Sequence, residues 1–188
     1  MTRAREFSLP NRWGDNRNAI HQHLWKAFPL EQGESQPFLF RVEIDSVLVR
    51  SRSRPYLEGV VVRDGLHLPS RGELKIHLNV SRRLKGKTLT VREEDVEPFV
   101  LRKIGQMGLR VTGNLVIVPF ATSNYAGVKL TPVSVRADVS VENSEVLARA
   151  MLMGIGRAKF LGFGMPMMMA STSVRLTSSE ALAIQVDP

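Results

Sequence analysis

The sequence predicts an α+β protein made of two tandem βαββαβ units, the ferredoxin-like (RRM-like) arrangement. Three observations lead there. Segments with apolar residues at helical spacing are interleaved with short apolar or alternating runs that read as strands. The chain has 188 residues, room for two domains of roughly 90 residues, each able to bury a core. A Lys/Arg-rich break at 82–87 falls near the middle, so the expected units are 1–87 and 88–188.

In chain order, Ile20, Leu24, Ala27 and Phe28 stand at i, i+4, i+7 and i+8, one face of a helix with Asp15 as N-cap and Pro29 as its stop. Phe38 to Ile44 reads as a buried strand, Val47 to Arg50 as its partner, and Val60 to Val62 as a further short strand. The run Arg50 to Pro55 is too basic and too broken for core, so Arg50, Arg52 and Arg54 read as solvated charges. Leu74, Ile76, Leu78 and Val80 alternate with Lys75, His77, Asn79 and Ser81, a half-buried strand with a basic outward face. Arg82 to Lys87 follows as a turn.

In the second half, Glu93, Glu94, Asp95 and Glu97 precede Phe99 to Ile104, with Arg102 and Lys103 trailing. This matches a helix dipole, with Asp95 as cap, and explains the acidic cluster without a metal. Val111 to Phe120 and Val128 to Val141 form a long hairpin with Ser123 to Gly127 at its tip. Ser144 to Met153 is an amphipathic helix capped by Asn143 or Ser144. A glycine-rich loop, Gly154 to Gly164, leads into a final buried strand, Met165 to Met169.

Composition narrows the function. There are 26 Lys and Arg against 18 Asp and Glu, a net charge of +8, so a polyanion is the first partner to consider. The absence of cysteine removes disulfides, thiolate zinc sites, iron–sulfur clusters and cysteine nucleophiles. No run approaches the roughly 20 apolar residues of a membrane span. The first residues carry positive charge with no apolar run behind them, so no signal peptide is expected and the expected setting is the cytoplasm.

Two places hold residues suited to chemistry. His21 borders the buried face of the first helix. Its plain reading is a partly exposed helix histidine; its functional reading is a general acid or base. His23 points to roughly the opposite side, and Lys26 meets His21 only by reaching back across the helix end. The loop Gly-Ile-Gly-Arg-Ala-Lys-Phe-Leu-Gly-Phe-Gly follows a helix and leads into a strand, the reverse of a dinucleotide fingerprint. It is either a flexible turn or a place where a phosphate backbone approaches main-chain N–H groups beside Arg157 and Lys159. Arg82, Arg83, Lys85, Lys87 and Lys129 join these as expected phosphate-binding residues. Few aromatic residues are present and none form a base-stacking motif. Neither metal nor cofactor is expected.

Ala19 to Pro29, followed by Phe38 to Glu43, resembles the N-terminal part of the CasE family, the CRISPR RNA-processing endoribonucleases of type I-E Cascade. Gly154 to Lys159, ending Gly162-Phe163-Gly164, is similar to that family's C-terminal signature. Lys75 to Asn79 resembles its Arg-x-Arg-x-Asn strand more loosely. The resemblance implies two ferredoxin-like domains that bind a CRISPR repeat stem-loop and cut it without metal. In such a reaction the RNA's own 2′-hydroxyl attacks the adjacent phosphate, leaving a 2′,3′-cyclic phosphate. It also implies a place among other Cascade subunits. His21 matches the catalytic histidine, Lys26 a position where some members use lysine, and Lys159 the loop lysine. A tyrosine common three residues before the histidine is Asn18 here. That departure makes a non-cleaving RNA-binding subunit the alternative. An unrelated basic RNA-binding or ribosome-associated protein is the third reading.

Overall fold

The computed structural model of the chain describes residues 4–28, 38–53, 55–57, 61–66, 68–84, 87–125 and 128–170. The first elements are β1 (Arg5–Pro10), α1 (Arg17–Ala27), β2 (Phe38–Val42), β3 (Ser46–Ser51) and β4 (Val61–Asp64). Then come β5 (Arg71–Asn79), β6 (Ser81–Leu84), β7 (Lys87–Thr90), α2 (Val96–Gln106) and β8 (Leu109–Pro119). The chain continues through β9 (Ser123–Tyr125), β10 (Val128–Leu130), β11 (Pro132–Val141), α3 (Ser144–Met153) and β12 (Met167–Ala170).

Two antiparallel sheets organise these elements. The first has the order β2-β3-β1-β4, the second β12-β5-β11-β8. Leaving aside the hairpins β6–β7 and β9–β10, each sheet puts its unit's first and third strands at the centre and its second and fourth at the edges. This is the ferredoxin-like order. The second unit is a complete βαββαβ, with α2 and α3 as crossovers. In the first unit, no helix lies between β3 and β4 among the described residues.

Sheet membership changes between Asp64 and Arg71, whereas the sequence divided the chain at 87/88. β5 belongs with the second sheet because its apolar residues Leu74, Ile76 and Leu78 face α2 and α3, joining Val100, Ile104, Leu147 and Met151 in one core. The first core is separate and built from Phe7, Leu9, Ile20, Leu24, Phe38, Phe40 and Val49. Strand β1 lies at its centre and reads poorly in sequence, since Arg5, Glu6 and Ser8 alternate with Phe7 and Leu9 over only a few residues.

Other expectations shift locally. The N-cap of α1 is Asn16, one residue later than expected, its Oδ1 accepting from the Ala19 N–H at 3.1 Å. Where the sequence read a turn, Ser81–Leu84 and Lys87–Thr90 pair as antiparallel strands, with Arg82 opposite Leu89 in register. The Met-rich strand exists but is an edge strand paired only to β5, so Met169 stays exposed while Met165, just before it, is buried. Asn143 caps α3 through Oδ1, accepting from Glu145 and Val146. The acidic cluster forms a 3-10 turn at Glu93–Asp95 leading into α2, as a helix start should. Residues after Ala170 lie outside the described residues.

The two units are joined by a residue whose sequence reading was a solvated charge. Arg50 on β3 is only 2 % exposed. Its Nε donates to Glu6 Oε1 at 2.9 Å and its NH1 to the Met151 carbonyl at 2.9 Å. The guanidinium therefore ties β1 and β3 of the first sheet to the last turn of α3. Arg50 is buried because the other unit covers β3 at this point and supplies an acceptor. Arg52 is exposed, and Arg54 lies outside the described residues.

Candidate active site

Burial of Ile20, Leu24 and Ala27 fixes the rotation of α1 and leaves His21 at the rim of the packed face. Its ring lies 5.6 Å from Trp25, 6.1 Å from Phe38 and 6.0 Å edge-on from Phe160, centroid to centroid. Burial lowers its pKa from the ordinary 6.5, so the imidazole is mostly neutral at pH 7. A neutral imidazole can accept a proton.

Phe160 comes from the glycine-rich loop, which folds back against α1. One turn before His21, Arg17 donates from NH1 to the Leu161 carbonyl at 3.1 Å and stacks its guanidinium 4.5 Å over Phe163. The Gly164 N–H donates to the His77 carbonyl at 2.6 Å, seating the loop on β5. The glycines serve this folding. At Gly164, with φ +77°, an added Cβ would sit 1.9 Å from the Ile155 carbonyl oxygen. At Gly162 it would meet the Phe40 ring at 2.7 Å. The loop is a built element, not a flexible turn.

Beside the loop, a cavity of about 200 Å³ is lined by Arg157, Phe160, Tyr125, Asn79, Ser81 and Thr88, among others. Tyr125, on β9, reaches α1: its hydroxyl donates to Asn18 Oδ1 at 2.7 Å, across 107 residues of sequence. Its ring lies 5.7 Å from Phe160. Sequence reasoning missed both Tyr125 and Arg17. Nothing local marks Tyr125, because its significance comes from a partner in the other unit. Arg17 was legible only as the residue one turn before His21.

The predicted residues divide. Arg157 and Lys159 lie on the loop whose Phe160 meets His21, and no described contact joins either cation to His21. Lys159 is held by donating Nζ to the Met153 carbonyl at 2.9 Å, at the C-terminal end of α3. Lys26 is exposed on α1, and no described interaction links it to His21. His23 is exposed with its ring 4.7 Å from Trp13. Arg82 on β6 and Lys129 on β10 are exposed. Arg83 and Lys87 are placed on β6 and β7, and Lys85 lies outside the described residues. Among the described residues, no group of three or more His, Asp or Glu is gathered where it could hold a metal ion. No described helix is long and apolar enough to cross a membrane.

The expected outward face of β5 stays half-exposed at Lys75 but is covered from His77 onward. His77 is 6 % exposed, Asn79 3 % and Ser81 4 %. Asn79 accepts from the Thr131 N–H and donates to Ser81 Oγ, while the His77 ring packs edge-on against Phe120 at 5.1 Å. β5 is a central strand, and the loop and first unit lie over its polar side. Burial first, and then the Arg41 and Arg17 cations, push the His77 pKa from 6.5 down to about 3. The folded protein therefore refuses a proton that the unfolded chain accepts below 6.5. The stability that neutral His77 confers is full above pH 6.5 and is lost as pH falls toward 3. The loss amounts to about 5 kcal/mol at most, at about 1.4 kcal/mol per pKa unit. Urea midpoints for His77→Gln between pH 7 and 4 should fall less steeply than for the wild type. Parallel curves would assign the acid sensitivity to another group.

No family model matches the chain, and no curated protein does. Solved structures do match. Thermus thermophilus Cse3 bound to an RNA representing a pre-cleavage complex is 19 % identical, with TM-score 0.75 over 90 % of this chain and 100 % of that one. The CRISPR-associated protein Cas6e from Escherichia coli K-12 is 20 % identical, with TM-score 0.64 over 89 % and 99 %. A further match, described as a CRISPR RNA-guided surveillance complex, is 19 % identical with TM-score 0.59 over 90 % and 100 %. With both sheets in ferredoxin-like order and the glycine-rich loop docked on the first helix, the chain has the fold of the CRISPR endoribonuclease Cse3 and the CRISPR-associated protein Cas6e.

Proposed function

We propose that this chain is a metal-independent endoribonuclease that binds CRISPR repeat stem-loops, cuts them once, and stays on the product within a Cascade-type complex in the cytoplasm. The observation that carries the reading is the docking of the glycine-rich loop against α1, which sets His21 beside Phe160 near Arg157. It stands in a chain of net charge +8 whose fold matches RNA-bound endoribonucleases. Cleavage needs a base for the 2′-hydroxyl, a proton for the departing 5′-oxygen and positive charge beside the phosphorane. His21, neutral at pH 7 through burial, takes the 2′ proton, and Arg157 supplies charge. In EDTA, incubation with the repeat RNA of its own locus should give one cut and a 2′,3′-cyclic phosphate end. Complete dependence on Mg²⁺ would sink the mechanism. Tight binding without a cut at enzyme excess would make the chain a structural RNA-binding subunit.

Substituting Arg82, Arg83, Lys85 and Lys87 together should weaken RNA binding far more than it slows cleavage at saturation. Every cation–phosphate pairing removed should flatten the plot of log K against log salt by about 0.7–0.9. An unchanged slope would show that the β6–β7 hairpin does not meet the RNA backbone.

A further inference from the structure

We propose that the Tyr125 hydroxyl is the acid that protonates the departing 5′-oxygen, a role that rests on the function just proposed. Once His21 takes the 2′ proton, a second group must give one to the 5′-oxygen. The nearby candidates are few. Lys159 is held at the C-terminal end of α3 by the Met153 carbonyl, with no described side-chain contact to α1, and Lys26 is exposed five residues beyond His21 on the helix. Asn18 carries no acidic proton. Tyr125 is half-buried, and its hydroxyl is pinned 2.7 Å from Asn18 Oδ1. Asn18 precedes His21 by three residues, so both lie on one face of α1. Phe160 stands against both rings, 5.7 Å from Tyr125 and 6.0 Å from His21, so one residue of the loop neighbours both groups. Tyr125, Phe160 and Arg157 also share the cavity wall, so a phosphate drawn to Arg157 arrives beside Tyr125.

Protons and bonds balance in this step. The 2′-oxygen forms its bond to phosphorus as His21 takes the 2′ proton, and the bond from phosphorus to the 5′-oxygen breaks. Tyr125 gives its proton to that oxygen, and solvent then carries the proton held by His21 to the phenolate, which restores both groups. Phosphorus keeps its oxidation state, and no co-reactant is needed.

Single-turnover cleavage by Tyr125→Phe tests this on two repeat RNAs, one ordinary and one with sulfur in place of the scissile 5′-oxygen. A thiolate leaves without being protonated. Tyr125→Phe should therefore cut the ordinary RNA about 10²-fold more slowly than wild type, yet cut the sulfur RNA at the wild-type rate. His21→Ala should be slow on both. Equal slowing of Tyr125→Phe on both RNAs would reduce Tyr125 to a packing residue and overturn the proposal, as would wild-type rates on both. A wild-type protein that cuts neither RNA would instead defeat the proposed function itself.

Discussion

His21→Ala is expected to lower the single-turnover rate of repeat cleavage by roughly 10²–10⁴, the usual worth of a positioned acid or base. RNA affinity should stay nearly intact, because at most one cation is removed from a chain with 26 Lys and Arg. The structure adds a pH signature. Burial pushes the His21 pKa below 6.5, and a base works only when unprotonated. The wild-type rate should therefore rise with pH through a midpoint below 6.5 and be level by neutrality. His21→Ala should lose that rise along with its rate. A variant that cuts at the wild-type rate would refute the assignment. The next histidines to consider then stand poorly: His23 is exposed on another side of α1, and His77 is buried under Phe120.

Arg50→Ala should destabilise the fold by about 3–5 kcal/mol, the range for breaking a buried ion pair. Three effects coincide. Glu6 keeps a carboxylate with its partner gone, the Met151 carbonyl is left without its donor, and the volume of a nearly fully buried side chain empties. Glu6 is 23 % exposed through its side chain, so water recovers part of its solvation and the lower end of the range is expected. Because Arg50 bridges the two units, the loss should appear as weaker coupling between them as well as a lower urea midpoint. Arg50→Met, which refills the space, should recover part of the loss. A stability within about 0.5 kcal/mol of wild type, the ordinary span of a surface substitution, would show that the bridge contributes little.

Sequence alone determined the local elements. The periodicity of Ile20, Leu24 and Ala27 set α1 and so put His21 at the rim of its buried face. The same reasoning placed β2, β3, α2 and α3, because the spacing of apolar residues records which side of an element meets the core. Tandem ferredoxin-like units were legible in the same way, and the net charge of +8 from composition. Tertiary structure decided what depends on the meeting of distant segments. β5 alternates apolar and polar residues like a surface strand, yet His77 and Asn79 on its polar side are buried where the loop docks on it. Arg50 reads as a surface charge and is a buried bridge, since its acceptors lie on β1 and α3. The glycines of the loop read as room for a phosphate, and the structure adds that Gly162 and Gly164 make room for the Phe40 ring and the Ile155 carbonyl. Tyr125 reads as a residue in a hairpin tip and reaches Asn18 on α1, 107 positions away. Periodicity reports burial along one element, but it holds no record of which residue arrives from elsewhere, and that arrival is what assembles this site.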